Sequence, residues 1–381
     1  MALSKLNNDS FGDTAVHGRR NLVINGAMQV AQRGTSSSTN NYQSVDRWKM
    51  YGSGPTTTKS QQTLTSGSPY DEGFRYFARQ ANTSVSSSTT AYVYFAQWVE
   101  AQNIAGSGWN YTSTSSSVTL SFWARSSLAG TYYAGLTTND GTEYIRHKAF
   151  TLAADTWTKV TFTTAGNSNL TFNNDNGAGL FVEIAAHYGT AYTGGEEVDA
   201  NDWYTRGGNL DAYYPNFAQN WGNTASATFD VTGVQLEVGD KATPFEHRSF
   251  GEELSLCQRY AYSIQATGNP LGLSGATISG GSRGFFGFGN AHNSANPVTW
   301  LNMPVPMRVV PSLTVSNNTH FDFDRGWASL ASSTSTIIQT LRSSSKAIAV
   351  ICNVGSGLNN GDAGSLSSNN SAAYMIFDAE L

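Results

Sequence analysis

The sequence predicts a mostly β protein: an antiparallel β-sandwich, then one short helix, then a second β domain at the C-terminal end. Three observations predict it. Apolar and polar residues alternate with period two in many short runs, turn-forming Gly, Ser, Thr and Asn separate those runs, and only one stretch carries a helical stripe.

The strands come in order. In Val118-Thr-Leu-Ser-Phe-Trp-Ala-Arg125, the residues Val118, Leu120, Phe122 and Ala124 share one face, as a strand with one side in a core requires. Val160 and Phe162 repeat the pattern over residues 158–163, and residues 179–184 are a further candidate. Ala227, Phe229 and Val231 alternate, then Val234, Leu236 and Val238 alternate in the opposite phase. One extra residue at Gly233, a β-bulge, restores the facing. Ser249 with Glu252 three residues on reads as a capping box, and Phe250, Leu254, Cys257 and Ala261 fall on one helical stripe. Beyond it, residues 346–354 and 373–381 are the clearest strands, the last running to the chain end, and Pro304, Pro306 and Pro311 mark edges or loops. The expected domains are an arm at 1–20, a sandwich at 21–246, a linking helix at 247–262 and a C-terminal β domain at 263–381.

Composition narrows the function. Charged residues are only 13% of the 381, about half the usual ~25%, while aromatics reach 12%. A chain so rich in aromatics folds. Ser, Thr, Asn and Gly carry its polarity, as in loop-rich β proteins that work outside cells. The net charge is −5, and no cluster of Lys and Arg exceeds Arg19-Arg20, so no nucleic-acid groove is expected. No run approaches the ~20 apolar residues of a membrane helix, and residues 1–20 lack the apolar stretch of a signal peptide. Two cysteines, Cys257 and Cys352, make no disulfide framework and no metal-ligand spacing; both read as small buried hydrophobes.

Several segments resemble a known family. Asn21-Leu-Val-Ile-Asn-Gly-Ala-Met-Gln-Val-Ala-Gln-Arg-Gly34 followed by Ser44-Val-Asp-Arg-Trp48 resembles the start of a phage tail-fibre-like domain, as does Leu120-Ser-Phe-Trp-Ala-Arg-Ser126 in its centre. Gly233-Val-Gln-Leu-Glu-Val-Gly239 with Ala242-Thr-Pro-Phe-Glu246 resembles its closing strand, and Glu252-Glu-Leu-Ser-Leu-Cys-Gln-Arg-Tyr260 is similar to the segment after it. Asp378-Ala-Glu-Leu381 is similar to the endings of such chains. The likeness spans residues 20–262 and is weak beyond. It implies a jelly-roll sandwich of the carbohydrate-binding-module type, usually trimeric, carried on a phage tail or capsid. A virion protein, made in the host cytoplasm and released by lysis, also reconciles an extracellular-type composition with the lack of a leader.

Candidate chemistry follows. Trp98, Trp109, Tyr111, Tyr132, Tyr133, Trp203, Tyr213, Tyr214 and Trp221 are candidates for stacking on sugar, whose apolar faces pack on rings. In the C-terminal domain, Phe285, Phe286, Phe288 and Trp300 are candidate receptor contacts, around the Gly284-Phe-Phe-Gly-Phe-Gly289 run, whose spacing is wrong for a dinucleotide loop. The cluster Glu196, Glu197, Asp199 and Asp202 has the hard oxygens that suit calcium, and Asn173-Asn-Asp-Asn176 is a second such place. His320, Asp322 and Asp324 share one side of a strand if that run is extended, and could bind a metal near a threefold axis. No Gly-x-Ser-x-Gly elbow, phosphate loop or His-Glu-x-x-His is present. The expectation is therefore a homotrimeric virion protein that binds host-surface glycan or a protein receptor without catalysis. It requires no cofactor, calcium being only a candidate structural ion, docks on other phage proteins through residues 1–20, and touches neither nucleic acid nor membrane. The rivals are an architectural capsid-decoration, head-fibre or tail-adaptor protein, and a polysaccharide depolymerase with paired carboxylates.

Overall fold

A computed structural model describes residues 20–193, 202–205, 214–266, 285–325, 328–332, 335–338 and 342–381. The chain divides into two compact units, Met1–Phe250 and Gly251–Leu381. The arm at residues 1–19 lies outside the described residues.

The period-two runs of the first unit are strands: β1 (Ser36–Ser37), β2 (Lys49–Ser53), β3 (Thr56–Thr63), β4 (Tyr76–Ser84), β5 (Tyr92–Glu100), β6 (Ser117–Ser126), β7 (Gly130–Thr138), β8 (Tyr144–Leu152), β9 (Thr158–Ala165), β10 (Ala178–Tyr188), β11 (Tyr204–Thr205) and β12 (Thr228–Val238). Two helical turns, α1 (Ser68–Asp71) and α2 (Ala101–Ala105), interrupt them. One sheet has the order β1-β3-β4-β12-β6-β9 and the other β11-β8-β7-β10-β5-β2. From β5 to β12 the chain crosses between the sheets at five of seven connections, which is jelly-roll winding. Val118, Leu120, Phe122 and Ala124 are fully buried, as their alternation requires. Rings from the two sheets meet in the core: Phe122 with Phe150 at 5.4 Å, Tyr132 with Phe229 at 5.0 Å and Phe95 with Phe229 at 6.0 Å.

The phase change in β12 is a bulge: pairing with β6 shifts between Thr232 and Gln235. Gly233 sits there at φ +63°, where a Cβ would stand 2.7 Å from the Phe74 ring. Both the left-handed backbone and the space demand glycine.

The segments that carry the family resemblance build one buried polar belt. Asn21 donates its Nδ2 to the Val234 carbonyl (3.0 Å) and accepts from the Val23 and Leu236 amides at 3.0 and 3.1 Å. Ile24 and Gln97 exchange two hydrogen bonds, each 2.8 Å. Asn25, itself at φ +58°, holds the Val30 amide and carbonyl, and Trp48 donates its Nε1 to the Asn25 carbonyl. At the other end, Glu246 accepts from the Arg20 and Asn21 amides at 3.1 and 2.8 Å and pairs with Arg248. These groups are satisfied by one another because burying them unpaired would cost ~1–3 kcal/mol each. The motif residues are architecture.

The second unit opens with α3 (Phe250–Gln258), whose first residue closes the first unit. Its buried residues are Glu253, Cys257 and Gln258, whereas Phe250 is 43% exposed. The expected stripe of Phe250, Leu254, Cys257 and Ala261 is thus corrected: a nine-residue helix buries only its central and final turns, and Ala261 already belongs to the next strand. That strand begins the set β13 (Ala261–Gln265), β14 (Phe285–Ala291), β15 (Pro297–Asn302), β16 (Ser312–Val315), β17 (Phe321–Arg325), β18 (Ala328–Ser332), β19 (Ser335–Ile338), β20 (Ala347–Asn353), β21 (Ala363–Ser368) and β22 (Tyr374–Asp378). They form sheets β13-β22-β16 and β18-β17-β21-β14-β15-β20-β19, all antiparallel. The last strand ends at Asp378, three residues short of the terminus expected from its alternation. Phe286, Phe321, Phe323, Ile348, Val350, Leu366, Met375 and Phe377 pack in one core fed by both sheets. Cys257 and Cys352 are both buried. Among the described residues, no helix is long and apolar enough to cross a membrane.

Candidate functional site

The alternation of β5 decides the site. Val93 and Phe95 point into the core, so Tyr92, Tyr94 and Trp98 lie on the outer face of the β11-β8-β7-β10-β5-β2 sheet. Register adds neighbours: Tyr51 of β2 pairs with Tyr94, while Phe181 and Tyr188 of β10 pair with Trp98 and Tyr92. The Tyr51, Tyr92 and Tyr94 rings lie nearly parallel, 5.7–5.9 Å apart and within 18° of one another. Trp98 and Phe181 pack at 4.4 Å farther along. All five are half-buried, so the sheet offers a row of ring surface with Lys49 beside Tyr51.

On the same face, opposite Ala96 of β5, lies a buried acid. Glu183 accepts hydrogen bonds from the Tyr214 hydroxyl (2.8 Å) and the Tyr188 hydroxyl (3.2 Å). Burial pushes its carboxyl up to about 7, against the lowering effect of the two hydroxyls and of Lys49. Gly135 leaves the room for the Tyr214 hydroxyl, which would stand 2.6 Å from a Cβ at that position. Burial also lowers Lys49 and raises Tyr94. Tyr133, Tyr188 and Tyr214, with Phe217 and Tyr192 packed on them, close an aromatic cluster over the acid.

Past Tyr188 the face runs into a cavity of about 320 Å³. One wall is the Ser86–Thr89 loop; another is His187, Tyr188, Phe217 and Gln219.

The remaining sequence candidates separate by burial. Trp109, Tyr132 and Trp221 belong to the sandwich core, and Tyr132 is bonded to Ser126 at 2.8 Å. Trp203 is buried beside them and donates its Nε1 to the Ala165 carbonyl at 2.8 Å. Tyr111 packs its ring on Phe172. Tyr111 stays half-buried. Trp109, Tyr132, Trp203 and Trp221 are covered by the core, which corrects their reading as sugar contacts: aromatic character alone does not tell a core ring from a surface one. Tyr133 and Tyr214 are buried too, though they support the outer face from within. Trp98 lies on that face, and Tyr213 lies outside the described residues. The sequence reading passed over Tyr51, Tyr92, Tyr94, Phe181 and Tyr188; the Tyr-x-Tyr spacing of β5 was the available signal.

In the second unit, Phe288 is 75% exposed and Trp300 48% exposed, on adjacent strands whose register joins Gly289 to Thr299. Phe285 packs on Phe288 at 4.8 Å, while Phe286 turns inward against Phe321. His320, Asp322 and Asp324 do not share a strand: His320 ends a 3-10 turn and bonds Ser316 at 3.0 Å, and only the two carboxylates lie on β17. Asp322 accepts from Asn369 at 2.9 Å and Asp324 from the Ser367 hydroxyl. Glu196, Glu197 and Asp199 lie outside the described residues; Asp202 accepts from Asn167 and from the Trp203 amide. Beside the Asn173–Asn176 run, Asp140 is engaged by the Asn173 amide and side chain at 2.9 and 2.8 Å. Among the described residues, no group of three His, Cys, Asp or Glu could hold a metal ion.

No protein-family model matches this sequence, and no curated protein matches it. Among solved structures, the family 11 carbohydrate-binding module of a cellulosomal cellulase of Clostridium thermocellum aligns at 11% identity over 56% of this chain and 98% of its own, with TM-score 0.26. The CBM22-1 xylan-binding domain of Paenibacillus barcinonensis Xyn10C aligns at 9% over 55% and 94%, with TM-score 0.27. A cyclase from Fischerella sp. TAU aligns at 10% over 59% and 100%, with TM-score 0.34. Likeness at this level carries no argument about what this chain binds.

Proposed function

We propose that this protein binds glycan along the outer aromatic face of its first sandwich and thereby attaches a virus particle to a bacterial surface, without cutting the glycan. The observation that carries the reading is the row of half-buried, nearly parallel rings formed by Tyr51, Tyr92 and Tyr94 and continued by Trp98 and Phe181. Solvent-facing rings of this kind present apolar surface at low entropic cost, and the C–H faces of sugars pack on them. The virion setting rests on the low charge and on the motifs that resemble phage tail fibres. In that setting the protein acts as a homotrimer, residues 1–20 dock it to other virion components, and the exposed Phe288 and Trp300 of the second unit extend its contact with the host.

The test is binding of the labelled full chain to bacterial cells and purified surface polysaccharides, before and after periodate treatment. Saturable binding is expected, lost after periodate, and weakened at least about tenfold by Tyr94→Ala, the cost of one stacking ring. Equal binding by Tyr94→Ala, or no binding by the assembled protein, would turn the reading toward an architectural role. Release of reducing sugar would make the protein a depolymerase.

A further inference from the structure

We propose that the aromatic face prefers a negatively charged glycan and that Lys49 is the residue that sets the preference. The inference rests on the reading of that face as a glycan site and adds the charge of its ligand.

Lys49 opens β2, the strand at one edge of the sheet. Met50 is fully buried in the core, so Lys49 and Tyr51 on either side of it share the outer face. Register sets Lys49 beside Ala96, between Tyr94 and Trp98 on β5. Its Nζ stands 5.6 Å from the centre of the Tyr51 ring. Tyr94 reaches Phe181 at 6.2 Å, which joins Tyr51 and Tyr94 to Phe181 and Trp98 in one run of rings with the ammonium beside it. A sugar stacked on a ring carries its substituents at its own rim. A carboxylate or sulfate ester there meets a cation at the border of the row.

The electrostatics of these strands favour one sign. Lys49 is the only Lys or Arg on β2, β5 and β10. The two carboxylates of those strands, Glu100 and Glu183, are buried, so neither stands in solvent to repel an anion. Both Glu183 oxygens accept from tyrosine hydroxyls, those of Tyr214 and Tyr188. Among the described residues, Lys49 forms no hydrogen bond and no ion pair. Burial strips part of its hydration, which lowers its pKa, while the charge of Glu183 acts in the other direction. A half-buried ammonium gains more from an incoming anion than one in bulk water, because its surroundings screen less. Lysine is a point charge and not a planar fork, so it selects for charge without dictating carboxylate over ester.

The experiment measures binding of the full chain, at one ionic strength, to three matched pairs. Polygalacturonate and hyaluronan are each set against their carboxyl-reduced neutral forms, and dextran sulfate against dextran. In at least one pair the anionic member is expected to bind about tenfold more tightly, the worth of one charge-assisted contact. The pairs that show the difference tell carboxylate from sulfate. Lys49→Gln is expected to erase the difference and leave the neutral member's affinity as it was, whereas Lys49→Arg keeps it. Tyr94→Ala is expected to weaken both members together. Equal binding within every pair overturns the inference, and leaves the glycan reading standing if Tyr94→Ala still weakens that binding. A preference that survives Lys49→Gln arises elsewhere and overturns it too. No binding of the parent to any of the six polymers overturns both.

Discussion

Glu183 shows how far one residue can depart from its sequence context. In the run Phe181-Val-Glu-Ile184 it reads as the solvent-facing member of an alternating strand, yet two tyrosine hydroxyls cover it and burial raises its pKa to about 7. The sign of the consequence is fixed. An acid whose folded pKa exceeds its unfolded value, near 4.5, stabilises fully below pH 4.5, and the benefit is lost as pH rises toward 7. His147 and His187, both lowered to about 4, act in the opposite sense: stability falls as pH drops from 6.5 toward 4. Glu183→Gln therefore isolates the acid. Relative to that variant, the parent is expected to lose about 3 kcal/mol between roughly pH 4.5 and pH 7, measured by urea unfolding. A parent and variant with parallel pH profiles would mean that the carboxyl is not confined as described. The sequence could not reveal this residue because its cover comes from Tyr214, thirty-one positions away.

Elements were more legible than facings. The reversal of phase in Ala227–Val238 located the bulge at Gly233, because a strand that keeps its hydrophobic face must absorb the extra residue somewhere. Gly233→Ala is expected to destabilise the first unit by about 1–3 kcal/mol, from the left-handed backbone and the encounter with the Phe74 ring together. Gly233→Ala combined with Phe74→Leu should recover the steric part alone; thermal unfolding of both variants separates the two contributions. No recovery would assign the whole cost to the backbone. The strand β5 marks the limit of such reading. It carries aromatic residues on both faces, so its pattern offers no contrast to say which side is covered; Trp109 and Trp221 lie outside the strands, where no alternation marks them as core. The helix Phe250–Gln258 exists where its stripe indicated, but only three of the four stripe residues lie on it, Ala261 falling in the next strand, and they gave no secure facing for its first turn.

At the scale of the molecule, two β cores separated near a helix followed from the spacing of runs and turns alone, since each run of strands needs its own apolar interior. The first core draws on residues from Val23 to Leu236, all within the first unit. A fragment comprising residues 20–250 is accordingly expected to fold by itself with one cooperative thermal transition and the tyrosine-dominated near-UV signal of the aromatic cluster. A fragment that melts without cooperativity would show that the unit depends on residues outside those limits. What no pattern in the sequence disclosed was the role of the most recognisable motifs. They carry a family resemblance, and they hold the start of the sandwich to its finish.

That belt has a consequence for how such a domain travels between proteins. The amide of Arg20 lies 3.1 Å from the Glu246 carboxylate, so the polypeptide enters and leaves the sandwich at one spot. To a host chain the whole jelly roll is a pendant on a closed loop: it can be spliced into a surface turn, or removed from one, while the flanking segments stay where they were. The proposed glycan-binding face, built from β2, β5 and β10, lies wholly within residues 20–246 and would travel with it.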